Sequence, residues 1–343
     1  MGLNNLRNLI RKVSSAQSYR NIIITIIRAK TSLISLFCSV ILTSGIVNAA
    51  NVYSIQWITP PATAPGLKQQ FFHSNAAKQN VSYHIYFPDA YHIQKERRFP
   101  VIYWLHGHTG GVEHLPMLAK YFDQAIKNGK LPPVLLVFPN GMAESMWCNS
   151  KDGAVPMETV IINELIPHID QTYRTIQSRH GRLIEGFSMG GYGAARLGIK
   201  YSDIFGAVSI LGAGPMQLDF TASKGPKEKA PDRVRIMKNV YGNDPAYFRA
   251  MSPWILGEEY ADKIRARKSI IRIVIGEQDN IKGPNLDFAA HLTRLRMPHV
   301  LRVIPNVGHE PMKLYQAIGG ANWRFYTKLF RDANHGTFQK RFN

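Results

Sequence analysis

Three short motifs in this sequence carry side chains that could together perform acyl transfer. GFSMGG contains Ser188, GEQD ends at Asp279, and VGHE contains His309. Each motif directly follows an apolar run of strand length. The order serine, acid, histidine is typical of hydrolases whose nucleophile lies on a strained turn between a strand and a helix. We therefore predict that Ser188 is a nucleophile, that His309 is its general base, and that Asp279 orients the histidine.

The residues alone leave alternatives to this assignment. A G-x-S-x-G pattern also occurs as a glycine-rich turn whose serine takes no part in chemistry, so its position between a strand and a helix must carry the argument. Glu277, Asp287 and Glu310 lie close enough in sequence to compete with Asp279 for the acid role.

A fourth motif, HGHTGG, follows another apolar run and spans residues 106–111. Acyl transfer develops a negatively charged oxygen that backbone N–H groups can stabilise. We predict that the N–H groups of Met189, which follows the nucleophile, and of His108 form this oxyanion hole. His106, His108 and His114 could instead ligate a metal, but no carboxylate ligand pattern accompanies them. We therefore predict neither a metal nor a cofactor.

Strand-like runs alternate with helical patterns along most of the chain. The runs lie at 81–87, 100–105, 134–138, 182–187, 204–211, 270–275 and 300–304, and the helical patterns at 115–127, 158–172, 189–201, 284–295 and 311–330. Several runs are nearly continuous in Val, Ile and Leu, as in strands that helices cover on both faces. This pattern predicts an α/β domain with a mostly parallel sheet flanked by helices.

Residues 212–268 interrupt this alternation with sequence rich in Gly, Pro and charge, followed by aromatic sequence. We predict an insertion that forms a lid or pocket wall, because long connections at the ligand-binding edge of a sheet often do so. Trp254 and Tyr247 in this insertion are candidates for stacking on an aromatic acyl group or a sugar. Trp147 is a further candidate for substrate binding, with core packing as its alternative.

The first 49 residues look like a targeting segment. They contain six basic residues and no acidic one, an uncharged apolar stretch at 31–47, and the small-residue pattern Val47-Asn48-Ala49. This arrangement predicts a signal segment at 1–49 with cleavage after Ala49, and a single domain at 50–343. The stretch is short for a spanning helix, so a membrane anchor applies only if the segment stays uncleaved.

Composition excludes several classes of protein. With 343 residues, 45% of them hydrophobic, the chain is neither disordered nor fibrous. Its two cysteines, Cys38 and Cys148, cannot form a disulfide scaffold or a thiolate zinc site. The formal charge is +19, and +13 remains without the first 49 residues. This charge indicates a generally basic surface, and no motif predicts a specific nucleic-acid partner.

Six blocks of the sequence resemble the esterase D-like family of α/β-hydrolases, which includes feruloyl and acetyl-xylan esterases, S-formylglutathione hydrolases and the antigen 85 mycolyltransferases. The resemblance spans roughly residues 70–330 and is carried by VIYWLHGHTGG, ELIPHIDQTYRT, IEGFSMGGYGAARL, YGNDPAYFRAMSPWIL, IGEQD and VGHE. It implies an α/β-hydrolase fold and a cofactor-free serine hydrolase with the catalytic and oxyanion residues given above. Glu185, directly before the serine motif, could pair with an arginine or tune the site.

The resemblance and the leader together suggest an exported carboxylesterase. Its expected substrates are short-chain, acetyl or feruloyl esters, either as small molecules or linked to carbohydrate. An acyltransferase remains possible, because a sugar hydroxyl can resolve the same acyl-enzyme. A non-catalytic carbohydrate- or surface-binding protein on this scaffold also remains, because fold alone does not fix chemistry. Oligomeric state is not predicted.

Overall fold

An eight-stranded sheet forms the centre of the computed structural model, which describes residues 55–220 and 230–338. The strand order is β1-β2-β4-β3-β5-β6-β7-β8; β1 and β2 are antiparallel to their neighbours and the other strands pair in parallel. The strands are β1 (Leu67–Ser74), β2 (Gln79–Tyr86), β3 (Val101–Leu105), β4 (Leu135–Pro139), β5 (Arg182–Phe187), β6 (Ala207–Leu211), β7 (Ile270–Gly276) and β8 (His299–Ile304). The predicted mostly parallel sheet is confirmed.

The central strands are buried on both faces. Every residue of β3, β4, β5 and β6 is buried, which explains why apolar residues dominate these strands. Strand β1 was not predicted, because its sequence LKQQFFHS alternates between buried and exposed residues and contains no apolar run. The antiparallel β1-β2 pair extends the sheet on the side away from β8.

Helices flank this sheet. They are α1 (Asp89–Ile93), α2 (Leu115–Lys127), α3 (residues 157–172, with a π-helical stretch at Val160–Leu165), α4 (Met189–Lys200), α5 (Ala230–Asn239), α6 (Pro245–Met251), α7 (Pro253–Ala266), α8 (Lys282–Arg294), α9 (Pro311–Ile318) and α10 (Gly320–Phe338). The single helix predicted at 311–330 is wrong in one respect, because Gly319 adopts a φ of 56° and separates α9 from α10. None of the helices in the two described ranges is both long and apolar enough to cross a membrane.

The insertion between β6 and β7 contains α5, α6 and α7. Asp244 and Ser252 begin α6 and α7, where their side-chain oxygens accept backbone N–H bonds, and a proline follows each of them. This combination of a capping side chain and a first-turn proline is a strong helix start. The predicted signal segment at 1–49 lies outside the described residues.

Candidate active site

Ser188 lies on a tight turn between β5 and α4. Its backbone has φ 58° and ψ −120°, a region that costs energy for a residue with a side chain. Neighbouring glycines make the turn possible: a Cβ on Gly190 would lie 1.9 Å from the carbonyl oxygen of Leu105, and one on Gly186 would lie 2.2 Å from the carbonyl oxygen of Gly190. The two glycines thus bring the serine turn against the end of β3.

Ser188, His309 and Asp279 form one hydrogen-bonded chain. His309 Nε2 lies 3.0 Å from Ser188 Oγ, and His309 Nδ1 lies 2.8 Å from Asp279 Oδ2. The Asp279 carboxylate is buried and also accepts the Ile281 N–H at 3.0 Å, whereas the imidazole is about one-third exposed. Phe187 packs against the imidazole with ring centroids 4.6 Å apart. The buried acceptor fixes an Nδ1–H tautomer, so Nε2 is free to take a proton from the serine.

The loops after β7 and β8 must approach closely to join Asp279 and His309. Gly276 permits this approach, because a Cβ there would lie 2.1 Å from the Val307 carbonyl oxygen. The Gln278 N–H donates to that oxygen at 2.9 Å and holds the two loops together.

The three rival acids lie elsewhere. Glu277 is exposed and accepts the Asn306 N–H at 3.4 Å, and Glu310 pairs with Lys313 at 2.7 Å. Asp287 is exposed on α8 and lines a separate cavity. Among the four candidate acids, only Asp279 is hydrogen-bonded to His309 within the described part of the chain.

The oxyanion residues predicted from sequence meet beside the serine. A Cβ on Gly107 would lie 3.2 Å from Ser188 Cβ, which places the loop at residues 106–111, called the oxyanion loop below, directly against the serine turn. Within the described residues, the amide N–H groups of His108 and Met189 donate to no backbone carbonyl, whereas the Thr109 N–H donates to the Ala143 carbonyl oxygen at 2.9 Å. Both predicted donors therefore lack a backbone acceptor, and both residues line the cleft over Ser188.

His106 anchors this loop from inside the protein. Its Nδ1–H donates to the Gly107 carbonyl oxygen at 2.7 Å, and its Nε2 accepts the Gly141 N–H at 3.0 Å. Burial lowers the pKa of His106 to about 4, which keeps the ring neutral and fit for one donated and one accepted bond. Because both ring nitrogens are used, His106 is not placed to ligate a metal.

Trp147 does not line the cleft, contrary to the prediction. Its side chain is fully buried, and its indole N–H donates to the His106 carbonyl oxygen at 3.2 Å. The ring occupies space that two glycines leave open, since a Cβ on Gly141 or Gly193 would lie 2.3 or 2.5 Å from it. Trp147 therefore supports the oxyanion loop from beneath rather than contacting substrate.

The His108 side chain belongs to an ion-pair network that sequence reasoning missed. His108 Nε2 lies 2.7 Å from Glu144, which also accepts hydrogen bonds from Arg235 of α5, and Arg235 pairs with Asp232 at 2.7 Å. The ligand atoms of His108, Glu144 and Asp232 lie within 4.8 Å of one another, but the Arg235 guanidinium already binds both carboxylates. No local motif could reveal this network, because its members are 36 and 91 residues apart.

A cleft of about 490 Å³ opens over Ser188 and His309. Its walls include the oxyanion loop, Met146, and residues of the insertion, among them Pro215, Phe220, Arg233 and Ile236. The insertion thus forms a wall of the cleft, as predicted. The volume lies within the range of small-molecule sites.

A second cavity of about 670 Å³ adjoins the first and shares the lining residues Gln217, Asn280 and Ile281. Trp254 is partly exposed in this second cavity, with its indole N–H bound to the Met216 carbonyl oxygen. Tyr247 instead donates its hydroxyl to the Asn149 carbonyl oxygen at 3.0 Å and lines neither cavity.

Glu185 pairs with an arginine behind the sheet, one of the two roles that its sequence position suggested. It is fully buried and accepts bonds from Arg272 at 2.8 Å, from Tyr326 at 2.9 Å, and from Tyr315. Burial, together with the nearby carboxylate, raises the pKa of both tyrosines well above their usual value, so both remain donors. Glu185 therefore joins β5 to β7 and to α9 and α10.

The sheet order, the serine turn and the placement of the three motifs at the carboxyl ends of strands define an α/β-hydrolase fold. The sequence profile of the esterase family matches residues 74–335, which is most of the chain. The chain therefore belongs to the esterase family, and the predicted resemblance is confirmed.

Individual relatives agree with this membership. The chain is 29% identical over 156 residues to an endo-1,4-beta-xylanase/feruloyl esterase of Xylanibacter ruminicola, a match that covers 43% of this chain and 22% of the relative. It is 32% identical over 158 residues to an esterase of Mycobacterium tuberculosis, with 45% and 33% covered. The match thus spans a third or less of each curated relative.

A solved ferulic acid esterase structure is also similar to this chain. It has a TM-score of 0.62 at 22% identity, and the match covers 77% of this chain and 98% of that one. At this level of identity the likeness establishes the fold.

Proposed function

We propose that this protein is an exported serine carboxylesterase that hydrolyses its substrate through an acyl-enzyme. The observation that carries the proposal is the hydrogen-bonded chain from Ser188 Oγ through His309 to the buried carboxylate of Asp279, at the base of an open cleft. Membership of the esterase family supports the ester bond as the target.

Each residue has a defined part in the proposed reaction. Ser188 Oγ attacks the ester carbonyl carbon while His309 Nε2 takes its proton, and the buried Asp279 carboxylate stabilises the resulting imidazolium. The N–H groups of His108 and Met189 stabilise the oxyanion. His309 then protonates the leaving alcohol, and a water molecule activated by the same imidazole releases the acid.

The proposed substrates are small-molecule or carbohydrate-linked esters of short-chain, acetyl or ferulic acids. Two observations support this class: a relative named as a xylanase/feruloyl esterase and a structural neighbour named as a ferulic acid esterase. The cleft supports it too, because Met146, Phe220 and Ile236 supply apolar surface for an acyl group near the nucleophile. Export is proposed from the basic and apolar leader of residues 1–49.

The proposal is tested by hydrolysis of p-nitrophenyl acetate, p-nitrophenyl butyrate and methyl ferulate, with protein from Ala50 onward. Turnover that Ser188→Ala abolishes supports the esterase, and the preferred acid defines the acyl class. Absence of turnover, with Ser188 unlabelled by a fluorophosphonate, contradicts it. Labelling without turnover would instead indicate a transferase that needs an acceptor alcohol.

A further inference from the structure

The oxyanion loop contains neither a helix nor a strand, so its shape depends on its neighbours. Residues 140–148, which we call the supporting segment, are joined to it by hydrogen bonds from the Gly141 N–H to His106 Nε2, from the Trp147 indole N–H to the His106 carbonyl oxygen, from the Thr109 N–H to the Ala143 carbonyl oxygen, and between His108 Nε2 and the Glu144 carboxylate. Of these bonds, the one to Glu144 holds the side chain of His108, whose backbone N–H is a predicted oxyanion donor.

Glu144 can hold His108 in one place only if its own carboxylate is fixed. That carboxylate is buried, and a buried carboxylate needs a partner of opposite charge. Arg235 is this partner: its Nε–H donates to Glu144 Oε2 at 3.3 Å, and its Nη2 donates to Oε1, the oxygen that lies 2.7 Å from His108 Nε2. A guanidinium that binds both oxygens of a carboxylate fixes its orientation as well as its charge.

Arg235 comes from α5 in the insertion and not from the central sheet. On the same helix, Asp232 pairs with the Arg235 guanidinium at 2.7 Å. Arg233 and Ile236, also on α5, line the cleft over the serine. One short helix therefore bounds the space for substrate and also holds the carboxylate that binds His108.

We propose that Arg235 is a positioning residue for the oxyanion hole, which keeps its shape only while α5 lies against the supporting segment. This inference rests on the proposed esterase function and adds a residue to its machinery. Arg235 does not line the cleft, so it acts through Glu144 and His108. The His108 N–H stabilises the transition state more than the bound ester, so loss of Arg235 should lower kcat and leave KM nearly unchanged.

The test measures kcat and KM of Arg235→Ala on p-nitrophenyl butyrate. Removal of a whole oxyanion donor lowers kcat by about 10²–10³-fold, so we expect a loosened donor to lower it by about tenfold, with KM within about twofold of the wild type. Arg235→Lys keeps the charge without the fork and should lose only about threefold. Lys238→Ala is the matched control, because Lys238 is exposed on the same helix, and both constants should equal those of the wild type.

Two further measurements separate positioning from general damage to the fold. If Arg235 acts through Glu144, the double variant Arg235→Ala/Glu144→Ala should lose about tenfold in kcat, as each single variant does, and not about a hundredfold. A trifluoromethyl ketone forms an adduct with Ser188 that carries a negatively charged oxygen, so its inhibition constant should rise about tenfold in Arg235→Ala. If Arg235→Ala does not fold, Arg235→Gln takes its place in both measurements.

The outcomes distinguish this inference from the proposed function. If the folded variant keeps the wild-type kcat, or if only KM changes, the inference is wrong and the esterase stands. Losses that multiply in the double variant would show that Arg235 does not act through Glu144, which also overturns the inference. If the wild type hydrolyses no ester and a fluorophosphonate leaves Ser188 unlabelled, the function and the inference fall together.

Discussion

Glu185 and Ser188 lie only three positions apart, on β5 and on the turn that follows it, and each belongs to a hydrogen-bonded network. The two networks differ in whether a ligand can reach their polar groups. Glu185, at the carboxyl end of β5, is fully buried and surrounded by Arg272, Tyr315 and Tyr326. Ser188 is partly exposed, and its partner His309 faces the open cleft. The polar groups around Glu185 bond to one another and hold β5, β7, α9 and α10 together. The network of Ser188 instead leaves a nucleophile and a base accessible to a ligand.

This difference indicates how a charged cluster can be judged from its structure. Both networks contain a buried carboxylate, so burial alone does not distinguish them. The distinguishing feature is an accessible end: the chain from Asp279 ends at a hydroxyl in a cleft, whereas the bonds around Glu185 close on one another behind the sheet. We call the chain of Ser188, His309 and Asp279 the open network, and the bonds among Glu185, Arg272, Tyr315 and Tyr326 the closed network. Substitutions in the open network should lower kcat. Substitutions in the closed network should lower the free energy of unfolding.

The largest expected effect is that of Ser188→Ala on turnover. Loss of a triad nucleophile removes the covalent route, so we expect kcat to fall by about 10⁶-fold. The free energy of unfolding should change by less than about 1 kcal/mol, because the side chain is small and partly exposed. Kinetics on p-nitrophenyl acetate and urea denaturation measure the two quantities. A variant that keeps more than a tenth of the wild-type kcat would exclude Ser188 as the nucleophile.

Asp279→Asn should lower kcat by about 10⁴-fold, because the amide can reverse the imidazole tautomer that Nε2 needs. Glu277→Gln is the matched control on the same loop, since Glu277 is exposed and lies away from the imidazole. We expect it to leave kcat within about twofold of the wild type. A larger loss in the control than in Asp279→Asn would transfer the acid role to Glu277.

Glu185→Gln should lower the free energy of unfolding and leave kcat nearly unchanged, the reverse of the effects expected for Ser188→Ala. Removing one partner of a buried ion pair leaves Arg272 uncompensated, so the free energy of unfolding should fall by about 3–5 kcal/mol. The kcat of the folded fraction should stay within about threefold of the wild type, because Glu185 touches no residue of the triad. Denaturation curves and active-site titration provide the measurement. A large loss of kcat with an unchanged free energy of unfolding would contradict the structural role that we assign to Glu185.

His106 should make the free energy of unfolding depend on pH. Its pKa is lowered by burial from 6.5 to about 4, so the unfolded chain takes up the proton first. The stability contributed by neutral His106 is therefore complete above pH 6.5 and is lost as the pH falls to about 4, a change of about 3 kcal/mol. His106→Gln keeps one donor and one acceptor but lacks this proton. Unfolding free energies from pH 7 to 4 should fall less steeply in the variant, and parallel curves would contradict the assignment.

The smallest expected effect is that of Glu144, which is hydrogen-bonded to the His108 side chain of the oxyanion loop. Glu144→Ala releases the His108 side chain and Arg235, so the His108 N–H should be held less firmly and kcat should fall by about tenfold with little change in KM. Glu144→Gln keeps an acceptor and should restore most of kcat. Equal losses in both variants, or a loss confined to KM, would show that Glu144 does not position the oxyanion donor.

Sequence patterns predict the fold and the candidate triad better than they predict the pocket. Asp279 and His309 follow β7 and β8, which are neighbouring strands of a parallel sheet, and that topology brings their side chains together at one edge. Trp147 was misplaced, because only the assembled fold shows that Gly141 and Gly193 leave a buried space for its ring. Glu144 was missed for a related reason, since its partner Arg235 comes from an insertion whose path over the cleft has no local signature.

The most direct test of the account is to find where an acyl mimic attaches. Intact protein should react with a fluorophosphonate in a one-to-one ratio, and peptide mass spectrometry should locate the adduct on Ser188. Asp279→Asn should slow the labelling strongly, whereas Glu185→Gln should leave its rate per folded molecule nearly unchanged. An adduct on another residue, or equal labelling rates in these two variants, would contradict the claim that the open network is the catalytic one.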